Sequence, residues 1–158
     1  RIWWGAGTRS TAEWAAEQGM HLMSSTLLTE DTGVPFHVAQ AEQIRIFREA
    51  WAKAGHDWEP RVSVSRSIFA LVNERDRAYF GGQGDAGDPV GFLDAGNARF
   101  GPSYAAEPDK LIEQLAKDEA IAAADTLLLT VPNQLGVDYN AHVLEAILTQ
   151  VAPGLGWR

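Results

Sequence analysis

Ile2-Trp3-Trp4-Gly5-Ala6-Gly7-Thr8-Arg9-Ser10-Thr11-Ala12-Glu13-Trp14-Ala15-Ala16-Glu17-Gln18-Gly19 reads as an apolar strand, a turn of small residues and a helix. The turn brings Gly7, Thr8, Ser10 and Thr11 to the point where the helix begins. A helix N-terminus carries unpaired N–H groups and the positive end of the helix dipole. Glycine lets an anion approach the backbone, and hydroxyls add donors with little bulk, so the combination suits a phosphate. The same residues also suit plain capping, with Thr8 or Ser10 as the cap and Glu13 closing a capping box on Ser10. Both readings stand on this segment alone.

Outward from this segment, strands and helices alternate, which argues for βα units and a parallel sheet. The first strand is expected over residues 1–5 and its helix over 10–18, stopped by Gly19. A second strand over 20–25 and a polar loop over 26–35 follow. In the second helix, 36–54, Ala39, Ile44, Phe47, Trp51 and Ala54 fall near the helical period, and Gly55 ends it. The third strand, 61–71, is β-branched and aromatic at Val62, Val64, Ile68 and Phe69. A short helix is expected over 73–80.

Composition then changes. Residues 81–108 hold nearly half of the 15 glycines together with Pro89, Pro102 and Pro108, and show no helical period. This stretch reads as a long loop or insertion on the catalytic side, a kind that is usually functional or mobile. A helix over 108–123 with Pro108 in its first turn, a strand over 125–131 and a helix over 138–151 complete the chain. The count is about four βα units, whereas a closed (β/α)₈ barrel needs eight and about 250 residues.

The chain has 158 residues, 46% of them hydrophobic, enough for a single globular domain over 1–158. With 13 Lys+Arg against 21 Asp+Glu, its net charge is −8, a poor match to nucleic acid or an anionic membrane. It has no cysteine, hence neither a disulfide framework nor thiol chemistry. No apolar stretch approaches a membrane span. The chain reads as cytoplasmic. It opens on Arg1 directly in a strand, so a preceding segment is expected.

The segment 8–16, followed by Gly19 and the apolar residues 20–23, resembles part of the bacterial-luciferase-like flavin monooxygenases. In that family an acid or glycine, then Ser/Thr, two residues, then Thr/Ser follows barrel strand five and holds the flavin phosphate. Gly7, Thr8 and Thr11 stand at those positions, with Ser10 among the hydroxyls of the same turn, and Ser25 matches a family serine close to the flavin. The resemblance extends to the stretch 125–132 and to the tail 151–157. It implies an α/β fold in which parallel βα units form strands five to eight, the second half of a TIM barrel. It implies a flavin-dependent oxidoreductase of the monooxygenase type, with FMN as cofactor or, alternatively, coenzyme F420. Reduced flavin would react with oxygen, or hydride would pass to or from the deazaflavin. The substrate would be a small organic molecule, and no metal is called for. Catalytic residues are unassigned and expected in strands one to four, so the activity of this piece alone is open. The expected partner is the N-terminal half of the same barrel or a second copy. The alternative is a non-catalytic, flavin-binding or dimerising half-barrel module.

Other candidates carry two readings each. Ser25 either contacts flavin or satisfies the adjacent loop. Arg9 either adds charge to a phosphate or is an exposed turn arginine. Arg66, within an apolar strand, is an anion contact, a structural ion pair or a snorkelling side chain. His21, His37, His56 and His142 lack metal-ligand spacing, and only His37, near the catalytic face, is a catalytic candidate against a plain helix-start role. Gly81-Gly82-Gln83-Gly84 lacks the lysine and the strand–helix context of a P-loop. Trp3 and Trp4 alternate, so one faces the barrel and one the helices.

Overall fold

The computed structural model describes residues 2–30, 33–82, 90–93 and 96–157, with the backbone alone at 90–93 and 96–99. In chain order the elements are β1 (Trp3–Ala6), α1 (Arg9–Glu17), β2 (His21–Ser24), β3 (Leu27–Leu28), α2 (Phe36–Ala54), β4 (Val62–Ala70) and α3 (Glu74–Phe80). There follow β5 (Val90–Leu93), β6 (Gly96–Phe100), β7 (Ser103–Ala106), α4 (Pro108–Leu115), α5 (Glu119–Ala123), β8 (Thr126–Leu129) and α6 (Gly136–Ala146). By their contacts the residues group into two compact units, the first Arg1–Ser65, Asp88–Pro102 and Asp118–Leu128, the second Arg66–Gly87, Ser103–Lys117 and Leu129–Arg158.

In the first unit β1 and β2 pair in parallel, Trp3 opposite His21 and Ala6 opposite Ser24, and β2 pairs β4 with Leu22 opposite Val62. β8 also pairs with β4. The strand period puts Trp4 and Ala6 on the helix side, where Trp4 meets Trp14 of α1 at 5.1 Å between ring centroids. Trp3 lies on the other face against His21, at 4.7 Å. The tryptophan pair thus divides between the faces as its alternation requires. The core joins Ala6, Leu22, Val62 and Val64 to Ala12, Ala15 and Ala16 of α1 and to Ile44, Phe47 and Trp51 of α2. Three alanines on one face of α1 let its backbone close on α2, and area-driven burial of the larger α2 side chains supplies the stabilisation. Gly19 (φ +68°) ends α1 and Gly55 (φ +72°) ends α2 in the left-handed conformation that a Cβ disfavours. A second, antiparallel sheet runs β3–β6–β5.

In the second unit the later part of β4 pairs in parallel with β7, Ser67 opposite Ser103 through Ala70 opposite Ala106. Phe69 and Phe80 stack at 3.8 Å. Leu111 and Leu115 of α4 are buried, as are Val143, Ile147 and Val151. Arg66 is 2% exposed, so it does not snorkel to solvent.

Four stretches differ from the sequence expectation, the first being the polar loop expected over 26–35, which carries the short strand β3. Residues 81–108 carry β5, β6 and β7 where a loop was expected, because four- and five-residue strands leave too short a pattern to read. Within that stretch 83–89 and 94–95, including Gln83 and Gly84 of the glycine run, lie outside the described residues. The helix expected over 108–123 is two helices. Asp118, 1% exposed, accepts the Ala120 and Ile121 N–H groups at 3.1 and 3.0 Å and starts α5 anew. The last helix begins earlier, at Gly136, and passes into a π-turn over Ile147–Val151.

Candidate functional site

The turn between β1 and α1 is capped by Thr8, not Ser10. Thr8 is extended (φ −134°, ψ 159°), and its Oγ1 accepts the Thr11 N–H at 3.2 Å. The same oxygen donates to Thr11 Oγ1 at 2.9 Å and stands 3.1 Å from Ser10 Oγ. Three hydroxyls therefore converge on the first turn of α1. Among the described residues, the amides of Gly7, Thr8 and Ser10 have no hydrogen-bond partner. The Thr8 and Ser10 amides are among the orphan donors that every helix start presents, and the Gly7 amide directly precedes them.

Two buried glutamines of α2 hold this turn. Gln43, 1% exposed, donates through Nε2 to Ala6 O at 3.1 Å and to Thr8 O at 2.9 Å, and accepts the Ser24 hydroxyl at 2.6 Å. Gln40 donates to Ser24 Oγ at 3.1 Å and to Ser25 O at 2.8 Å. Its Oε1 is buried without a partner. Ser25 Oγ accepts the Leu27 N–H at 3.3 Å, which satisfies the adjacent loop and leaves the hydroxyl proton for another acceptor. Sequence reasoning missed Gln40 and Gln43. On a helical wheel they fall with Phe36, Ile44 and Phe47, and two amides on a core face are the signal that was there to read.

Charge at the turn is mixed. Glu30 Oε2 accepts both the Arg9 backbone N–H, at 3.0 Å, and Arg9 Nε–H, at 3.1 Å. The two side chains are 46% and 32% exposed, so the pair is a weak, water-screened one. Arg9 and Glu30 line a cavity of about 280 Å³ whose walls include Leu28, Val34 and Val38, with Glu42 also at it. A hydrogen bond from Arg45, with its charge, holds the Glu42 carboxyl below the usual carboxylate range.

The other candidates are dispersed. His37 Nδ1 accepts the Glu119 N–H at 3.3 Å, a contact that ties α2 to α5. His21 Nδ1 accepts the Arg61 N–H at 2.8 Å, and His56 Nε2 is 2.7 Å from Ala16 O. His142 lies 3.0 and 3.1 Å from the two oxygens of buried Asp76, which also accepts the Tyr139 hydroxyl. The sequence reading misses that cluster, because Asp76 is more than sixty residues from Tyr139 and His142. No cluster of His, Cys, Asp or Glu among the described residues fits a metal ion. No helix among them is long and apolar enough to cross a membrane.

The same fold occurs in solved oxygenases. The monooxygenase RslO1 from Streptomyces bottropensis matches 97% of this chain with a TM-score of 0.62 at 14% identity, over 47% of its own length. The oxygenating constituent of 3,6-diketocamphane monooxygenase from Pseudomonas putida, a type II Baeyer-Villiger monooxygenase in complex with FMN, matches 98% at a TM-score of 0.56 and 18% identity, over 48% of its own length. The chain therefore spans about half the length of these solved structures. No protein-family model and no curated protein matches it.

Proposed function

We propose that this chain is the strand-five-to-eight half of a luciferase-like, flavin-dependent oxidoreductase barrel, and that its turn at residues 7–11 binds the flavin phosphate. The observation that carries the reading is the convergence of the Thr8, Ser10 and Thr11 hydroxyls with the unpaired Gly7, Thr8 and Ser10 amides at the end of a parallel strand. In barrels of this architecture ligands sit at the C-terminal ends of the strands. The donor set fits an anion, since the Glu30 carboxylate of the chain itself already docks on the Arg9 amide. Ser25, at the end of β2, offers its remaining proton to the cofactor. FMN is preferred to coenzyme F420, supported by the FMN-bound fold neighbour.

The flavin supplies the redox chemistry when bound. The chain's own contribution is to grip the phosphate and fix the cofactor's orientation. A small organic substrate and the monooxygenase-type reaction belong to the whole protein. On the sheet face opposite α1, Trp3 is 36% and Met23 41% exposed. Parallel sheets are normally covered on both faces, so the complementary half of the barrel, or failing that a second copy, is the expected partner. The reading is tested by titrating the chain with FMN, riboflavin and F420 while following flavin absorbance and fluorescence. FMN should bind with a shifted, quenched spectrum and riboflavin markedly more weakly. Equal binding of FMN and riboflavin, or none, would overturn it.

A further inference from the structure

We infer that Glu30 is a built-in competitor for the phosphate and sets the affinity of the α1 turn for it, an inference that rests on reading that turn as a phosphate site. One carboxylate oxygen of Glu30 takes two donors at once, the Arg9 backbone N–H at 3.0 Å and Arg9 Nε–H at 3.1 Å. The first is the leading amide of α1, and the second belongs to the Arg9 guanidinium at the turn. Both are groups that an incoming phosphate would use. A phosphate and a carboxylate cannot share them, because like charges in contact repel each other.

The contact is built to open. Glu30 stands in the chain after β3, its side chain is 32% exposed, and water can solvate the released carboxylate. The cavity beside it holds a second carboxylate, Glu42, whose hydrogen bonds go to Arg45 and which feels the Arg9 charge only at a distance. Binding therefore exchanges an internal anion for an external one, and affinity reflects the difference between the two. A pure positioning role for Glu30, holding Arg9 in place for the phosphate, predicts the opposite sign on its removal.

The test compares wild type with Glu30→Gln and Glu42→Gln, each titrated with FMN and with riboflavin. Glu30→Gln keeps the size of the side chain and removes its charge. It should tighten FMN about two- to five-fold, the range that an exposed ion pair is worth, and leave riboflavin unchanged. Glu42→Gln should change FMN affinity less than Glu30→Gln does. Unchanged or weaker FMN binding in Glu30→Gln overturns the inference, and so does an equal gain in Glu42→Gln, which would mean a general field and not occupancy. Failure of the phosphate reading is distinguishable: all three proteins would then bind FMN and riboflavin alike, or neither.

Discussion

Tyr139 donates its hydroxyl proton to Asp76 Oδ1 at 2.7 Å, and this bond ties α6 to the corner that follows β4. Asp76 also closes a capping box with Asn73 at the start of α3 and accepts the Val72 N–H at 3.2 Å. Burial alone would raise its carboxyl. The hydrogen bonds from Tyr139 and His142, the His142 charge and the Val72 amide outweigh burial and hold the carboxyl below the ordinary range. Burial first, and the adjacent carboxylate second, push the Tyr139 phenol up.

Replacing Tyr139 by Phe should destabilise the protein by about 1.5–3 kcal/mol, the usual worth of a hydrogen bond to a charged group. The folded-state carboxyl lies below its unfolded value. The contribution of Asp76 is therefore fully present above the ordinary aspartate range, near pH 4, and is lost as pH falls through the lowered value. Urea unfolding from pH 7 down to pH 2 should show this loss in wild type and a flatter profile in Asp76→Asn. Parallel profiles would show that the network holds no charge-dependent stability.

Gln43→Leu removes two donors and an acceptor from a largely buried site: Ala6 O is left with the Ser25 N–H alone, Thr8 O with the Ala12 N–H alone, and the Ser24 hydroxyl proton loses its acceptor. A loss of about 1–3 kcal/mol is expected, the cost of one buried polar group left without a partner, since both carbonyls keep a backbone donor. Chemical denaturation measures it. A loss under about 0.5 kcal/mol would mean that the turn finds other partners.

Thr11→Val and Thr8→Val should behave differently. Thr8 caps α1, so its replacement costs about 1 kcal/mol of stability in addition to any loss of phosphate binding. Thr11 Oγ1 only accepts from Thr8, so Thr11→Val should leave the unfolding midpoint nearly unchanged while weakening FMN and sparing riboflavin. Equal destabilisation by the two variants would remove the distinction between cap and ligand.

Gly19→Ala places a side chain at φ +68° with its Cβ 3.2 Å from His56 Cε1. The left-handed conformation costs an L-residue about 1 kcal/mol, and the contact also strains the His56 bond to Ala16 O. A melting temperature lower by several degrees is expected for a domain of this size. An unchanged one would show that α1 tolerates another C-terminal cap.

Much of this protein is local information. The strand–turn–helix at residues 2–19, the long helix at 36–54 and the breaks at Gly19 and Gly55 follow from apolar period and from the conformational freedom of glycine, both of which act within a few residues. So does the gathering of Thr8, Ser10 and Thr11 at one helix start, because spacing along the chain alone puts them there. The strands within 81–108 and the break at Asp118 are less legible, since short pairings and one buried cap leave little pattern. Which donors remain open is not local at all. Glu30 reaches Arg9 across 21 residues, Gln43 reaches Thr8 across 35, and His142 reaches Asp76 across 66. Such pairs exist only once packing has removed water and set the distances. The sequence by itself therefore determined the main helices and strands and the place where Thr8, Ser10 and Thr11 gather. Only the tertiary structure decided which of its donors are already taken, because a hydrogen bond between distant residues is selected by the burial that the whole fold imposes.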